Sequence, residues 1–153
     1  MGEDAEMRLT KIAGWDTRMA QYIHENFGRT FDRGEFDCRK MVCEILFDIT
    51  GFDFGKDWEG KYSNDNEAKE MLESLGPDSF FRLCDDTFSA VGWEKVNWKL
   101  AHRGDPVFFE SKKDPWAGCL AICGGQHAWT PTEKGLTRLP MKLARMAWKI
   151  PYV

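Results

Sequence analysis

The chain has little of what many binding and redox chemistries require. It carries no excess of positive charge, with 21 Lys and Arg against 25 Asp and Glu and a net charge of -4. Without a global positive field there is little to hold a phosphate backbone, so nucleic acid is not an expected partner. Histidine is scarce, with three residues at positions 24, 102 and 127. No two of them are spaced as metal ligands, so no metal is expected, and nothing calls for an organic cofactor. The five cysteines, Cys38, Cys43, Cys84, Cys119 and Cys123, form no CxxC pair and no even-numbered secreted framework. They read as reduced thiols. A phosphate-binding glycine loop is missing, because Gly124-Gly125 precedes a strand-like run and not a helix. No run approaches the roughly 20 apolar residues of a membrane span, so membrane insertion is not expected. Met1 to Glu6 is acidic where a secretory leader would be basic and then apolar, which predicts a chain made in the cytoplasm.

What the chain does have is a core. Hydrophobic residues make up 42% of the 153 and aromatic residues 14%, including eleven Phe and seven Trp. That composition predicts one folded domain over residues 1–153, with residues 1–8 flexible. Helical periodicity dominates the first half. Asp16 is placed to cap a helix over residues 17–27 bearing Met19, Tyr22, Ile23 and Phe27. A second helix starts at Asp37-Cys38, carries Met41, Val42, Ile45, Leu46 and Ile49, and stops at Gly51. It is apolar enough to be the central buried helix. Asn64 and Glu67 resemble a capping box for a third helix with Ala68, Met71, Leu72 and Leu75, ended by Gly76-Pro77.

After residue 78 the pattern reads as short strands at 105–110, 119–123, 126–130, 136–139 and 147–150, with a short helix at 141–145. Helices first and an antiparallel sheet second is an α+β layout. The loop from Asp53 to Ser63 holds Phe54, Trp58 and Tyr62, which either cover an edge of a cleft or pin the loop to the core. Trp15 is expected to staple onto the first helix, and Trp129 and Trp148 to serve the fold or a cleft. Trp58, Trp93, Trp98 and Trp116 are candidates for a glycan or partner surface.

Cys38 is the candidate for chemistry. In the first turn of the central helix a thiol feels unpaired backbone N–H groups and the positive end of the helix dipole, which lower its pKa and favour the thiolate. It shares a face with Met41, Val42 and Ile45, so a base on the sheet would be in reach. The alternative is a core-filling thiol. Cys119 and Cys123 read as core filling, and His24 and His102 as surface residues.

The segment Arg33-Gly34-Glu35-Phe36-Asp37-Cys38, followed by an apolar helix ending in Thr50-Gly51, resembles the nucleophile segment of NlpC-type papain-like cysteine peptidases. Arg103-Gly104-Asp105-Pro106-Val107-Phe108-Phe109 resembles the strand before the histidine strand of that family. Residues from about 8 to 150 are similar to small phage tail-associated proteins of this fold, including the closing Lys134-Gly135-Leu136, Leu139-Pro140 and Ala147-Trp148-Lys149-Ile150.

The resemblance implies a papain-like α+β fold that cleaves peptidoglycan stem peptides, with Cys38 as nucleophile and Asp37 as the helix cap. It also implies tail hub or distal tail proteins as partners and a place in the virion tail tip. The family's histidine belongs on the strand matching residues 117–122, and none stands there. His127 is the remaining candidate base, expected opposite Ile122 in the hairpin, with Gln126 or Thr130 to orient it. Two main readings stay open: a wall peptidase using Cys38 and His127, or a structural tail-tip protein with a degraded catalytic set. A host-side amidase unrelated to virions is a third.

Overall fold

The structure is a computed structural model and describes residues 8–152. The expectation of a flexible segment over residues 1–8 falls, for residues 1–7, outside the described residues. Four α-helices among the described residues precede all six strands of an antiparallel sheet, an α+β architecture. Helix α1 spans Trp15–Asn26, α2 Cys38–Thr50, α3 Asp65–Glu73 and α4 Ser79–Ala90. The strands are β1 Glu94–Val96, β2 Pro106–Glu110, β3 Gly118–Cys123, β4 His127–Thr132, β5 Gly135–Pro140 and β6 Met146–Lys149, in the order β1-β6-β2-β3-β4-β5.

Helix α2 follows its sequence signals at both ends. The Asp37 side chain caps its start and Gly51, in the left-handed region, ends it with an N–H bonded to the Phe47 carbonyl. Asn64 caps α3 by accepting from the Glu67 N–H, while Glu67 turns its carboxylate to Ser63, so the box is only half formed. Helix α1 starts earlier than expected, at Trp15 behind a left-handed Gly14, and Asp16 does not cap it. Asp16 instead forms an ion pair with Arg103.

Helix α4 is the main departure from the expected run of strands. Phe80, Phe81, Cys84 and Phe88 are all buried on one side of it, at helical spacing. Its aromatic content mimics a strand, and its N-cap, Asp78, takes a left-handed conformation without a side-chain cap bond, so the usual start signal is missing. The expected short helix at 141–145 is a single 3-10 turn, Met141–Leu143.

The sheet buries both faces. On one, Phe108, Leu120, Ile122 and Trp148 pack against Met41, Val42, Ile45, Leu46 and Ile49 of α2, with α4 closing the far side. On the other, Val107, Phe109, Ala121, Cys123, Ala128 and Ala147 pack beneath the turns Trp98–Leu100 and Met141–Leu143. This alternation along β2 and β3 is the period of two that a strand imposes.

Most of the tryptophans belong to this core. Trp93, Trp116 and Trp148 are buried and Trp58 packs against the same cluster, so the partner surface expected from Trp93 and Trp116 does not exist. Trp98 is half-buried over the second face. Phe54 and Tyr62 are buried as well, which pins the 53–63 loop to the core.

The Arg103-Gly104-Asp105 segment has a structural role. Asp105 is fully buried and pairs with the equally buried Lys11 at 3.5 Å, while accepting from the backbone N–H groups of His102 and Ile150. The Lys11 ammonium also donates to the Arg103 carbonyl at 2.8 Å and lies over the Trp15 ring. Burial pushes the Lys11 pKa down and the Asp105 pKa up, and each charge partly offsets the other's shift. This clasp joins the chain before α1 to the start of β2 and the end of β6.

Gly118 opens β3 where a Cβ would lie 2.0 Å from the Phe108 ring. Gly118→Ala is therefore expected to cost about 3 kcal/mol through overpacking, read as a lower denaturant midpoint at unchanged m-value.

Candidate functional site

The site is assembled around the start of α2. Asp37 is fully buried, and one carboxylate oxygen accepts from the Lys40 N–H at 2.8 Å. The other accepts from the Gly34 N–H at 3.2 Å and from the Tyr62 hydroxyl. Arg39 donates through Nε to the same Tyr62 oxygen at 3.2 Å. Burial, reinforced by the adjacent Asp37 carboxylate, pushes the Tyr62 pKa far up and keeps its phenol protonated as a donor.

Gly34 is required for this arrangement. Its φ is +94°, and a Cβ would lie 2.7 Å from the Tyr62 carbonyl oxygen. Arg33 bridges the surrounding walls, donating to Asp65 at 2.9 Å and to Asp114 at 3.0 Å while only 7% exposed. It ties the segment before α2 both to the start of α3 and to the turn between β2 and β3.

Cys38 sits on this platform with 2% exposure. The neighbouring Cys119 thiol on β3, together with burial, pushes the Cys38 pKa well above that of an ordinary thiol. The expected lowering by the helix N-terminus is thereby reversed. A dipole effect of about 1 kcal/mol is smaller than the cost of forming a thiolate inside the core.

Cys119 is shifted the other way. The neighbouring Cys38 thiol and the Thr130 hydroxyl, 3.2 Å from its sulfur, lower its pKa against its own burial. Both cysteines line a cavity of about 370 Å³, walled also by Phe31, Asp114, Thr130 and Pro131.

The structure brings together Asp37 and Cys38 but does not bring His127 to them. His127 is exposed at the first position of β4, opposite Pro140 of β5, and its carbonyl accepts from the Gly124 N–H at 2.7 Å. It lines a different cavity, of about 440 Å³, with Trp98, Gln126 and Lys142. The reason is register. Ile122 pairs with Trp129 and Cys123 with Ala128, so Trp129 takes the place that the expected hairpin assigned to His127. Thr130, considered only as an orienting group for His127, instead touches Cys119. His24 and His102 are exposed, as expected.

Cys119, Tyr62 and Arg33 are the site residues that sequence reasoning passed over. Cys119 had a signal, since it lies on the strand where the resembled family keeps its histidine. Tyr62 and Arg33 had none, because their roles depend on how the 53–63 loop and the β2–β3 turn return to α2.

Residues 10–150 match the family described as a domain of unknown function, DUF6950. The chain belongs to the DUF6950 family. The match begins ahead of α1 and ends past β6, so the Asp37-Cys38 segment and Cys119 both lie within the DUF6950 domain. No curated protein matches the chain. No helix among the described residues is long and apolar enough to cross a membrane, and no cluster of three or more His, Cys, Asp or Glu suited to a metal occurs among them.

Asp37→Ala removes the cap of α2 and strands the Gly34 N–H and the Tyr62 hydroxyl in the interior. It is expected to cost about 3 kcal/mol, against about 1 kcal/mol for Tyr62→Phe, both read from denaturant unfolding.

Proposed function

We propose that this DUF6950 chain is a catalytically silent derivative of the papain-like cysteine peptidase fold, serving as a structural component of a phage tail tip. The observation that carries the reading is the partner of Cys38. A papain-like nucleophile needs an imidazole to take its proton, whereas here the thiol is buried, has the Cys119 thiol as its neighbour and has its pKa pushed well up. The Asp-Cys start of the central helix, its packing on an antiparallel sheet and the Gly-Asp strand that follows support descent from that fold. The resemblance of the closing segment to phage tail-associated proteins supports the location and tail hub or distal tail proteins as partners.

The cavity lined by Cys38 and Cys119 favours the rival reading, a peptidase acting on peptidoglycan stem peptides. In it Cys119, not His127, would accept the proton of Cys38. Zymography separates the two. The parent protein and Cys38→Ala, run side by side over purified peptidoglycan, are both expected to leave the wall intact. Clearing by the parent that disappears in Cys38→Ala would overturn the silent reading in favour of the peptidase. For the location, mass spectrometry of purified particles is expected to find the chain with the tail proteins, and its absence from particles would contradict that placement.

A further inference from the structure

Trp98 and His127, neither of which serves the Cys38 site, line one cavity of about 440 Å³. It lies where the Trp98–Leu100 turn, the β3–β4 hairpin and the Met141–Leu143 turn come together, on the face of the sheet away from α2. Its walls carry two ammonium groups, of Lys99 and Lys142, and no carboxylate, a local positive site in a chain of net charge -4. We propose that this cavity binds an acidic saccharide, a sugar ring bearing one carboxylate or phosphate group, with the lysines holding the anion and Trp98 the ring.

The side chains at this cavity are uncommitted. Lys99, Gln126, His127 and Lys142 are exposed, and no hydrogen bond or ion pair among the described residues engages their side chains. The indole N–H of Trp98 is equally without a partner among them, whereas those of Trp93, Trp116 and Trp148 donate to Leu9, Ala68 and Asp85. The core tryptophans thus have both ring and N–H engaged inside the fold, while Trp98 presents a half-buried ring and a spare donor. The Lys99 ammonium stands 5.8 Å from the Trp98 ring centroid, which puts positive charge beside the aromatic wall.

Each part of the ligand follows from a part of the wall. Two ammonium groups without a carboxylate select an anionic group. The Trp98 indole with Ala101, Pro140 and Met141 forms an apolar surface for the C–H face of a sugar ring. The Gln126 amide, the His127 imidazole and the Trp98 N–H supply donors and acceptors for ring hydroxyls, which a plain aromatic acid lacks. The frame is fixed before binding. The Met141 N–H donates to the Gln126 carbonyl at 3.1 Å and the Gly124 N–H to the His127 carbonyl at 2.7 Å, and Asn97 caps the Trp98 turn through the Lys99 N–H at 3.0 Å. A cavity of this size lies in the small-molecule range, and a backbone held in this way loses little freedom when the ligand enters.

The test titrates the full chain with glucuronate and with glucose-6-phosphate, and separately with glucose, inorganic phosphate and benzoate, followed by amide and indole N–H shifts in NMR spectra. With at least one acidic sugar, saturable shifts are expected at the Trp98 indole and at the backbone N–H groups of Gly125, His127 and Lys142. Which of the two sugars binds distinguishes a carboxylate from a phosphate source. The three controls at the same concentrations are expected to leave those signals in place. Lys99→Gln and Lys142→Gln, both at exposed positions, are each expected to weaken binding about tenfold, and Trp98→Ala to abolish it. No saturable shift with either acidic sugar, or shifts confined to other parts of the chain, overturns the site. Binding of phosphate or benzoate as tight as that of the acidic sugar overturns the saccharide. Equally tight binding of glucose, or unchanged affinity in both lysine variants, overturns the role of the lysines. If Trp98→Ala does not fold, the mapping on the parent protein and the lysine variants decide.

Discussion

The buried carboxylate of Asp37 is the constraint on which the site depends. It is placed in the interior without a cation as its direct partner and is satisfied by two backbone N–H groups and a phenol. Each donor comes from a different part of the chain: the turn at Gly34, the first turn of α2, and the 53–63 loop through Tyr62. One side chain thus sets the direction of the central helix, holds the preceding turn and fastens a loop. Cys38 inherits its position from that arrangement, as the first residue of a helix whose start cannot shift without stranding a buried charge.

Placing a thiol at a helix N-terminus is a known route to a reactive thiolate, and burial here cancels it. The helix field acts over the first turn with a modest magnitude, whereas desolvation acts on the whole charge. The Cys119 thiol on the facing strand adds to that burial and raises the Cys38 pKa further. The result is a pair of cysteines whose pKa values are pushed in opposite directions beside a shared cavity.

Much of the fold was legible from sequence, because α2 and the hairpin of β3 and β4 carry strong local signals. The cap at Asp37, the stop at Gly51 and the apolar stripe from Met41 to Ile49 agree with one another. Helix α4 was not legible, since Phe80, Phe81 and Phe88 suit a strand as well as a helix and Asp78 gives no side-chain cap. The tryptophans of irregular segments were misjudged for a related reason. Trp93 and Trp116 lie outside regular elements, yet the indole N–H of each is satisfied by a backbone carbonyl, of Leu9 and Ala68, so both can be buried. At the site, Asp37 and Cys38 were found from local pattern. The Cys119 contact depends on how β3 packs against the start of α2, and the separation of His127 depends on a hairpin register two residues from the one expected.

The central claim is that burial and the neighbouring Cys119 thiol keep Cys38 protonated and unreactive. The most direct measurement is the rate of iodoacetamide alkylation of Cys38 in the native protein as a function of pH, followed by peptide mapping. The account predicts slow labelling with a midpoint above the ordinary thiol value of about 8.5, rising to the rate of a free thiol once the chain is unfolded. Rapid labelling with a midpoint below that value would contradict it and restore Cys38 as an activated nucleophile.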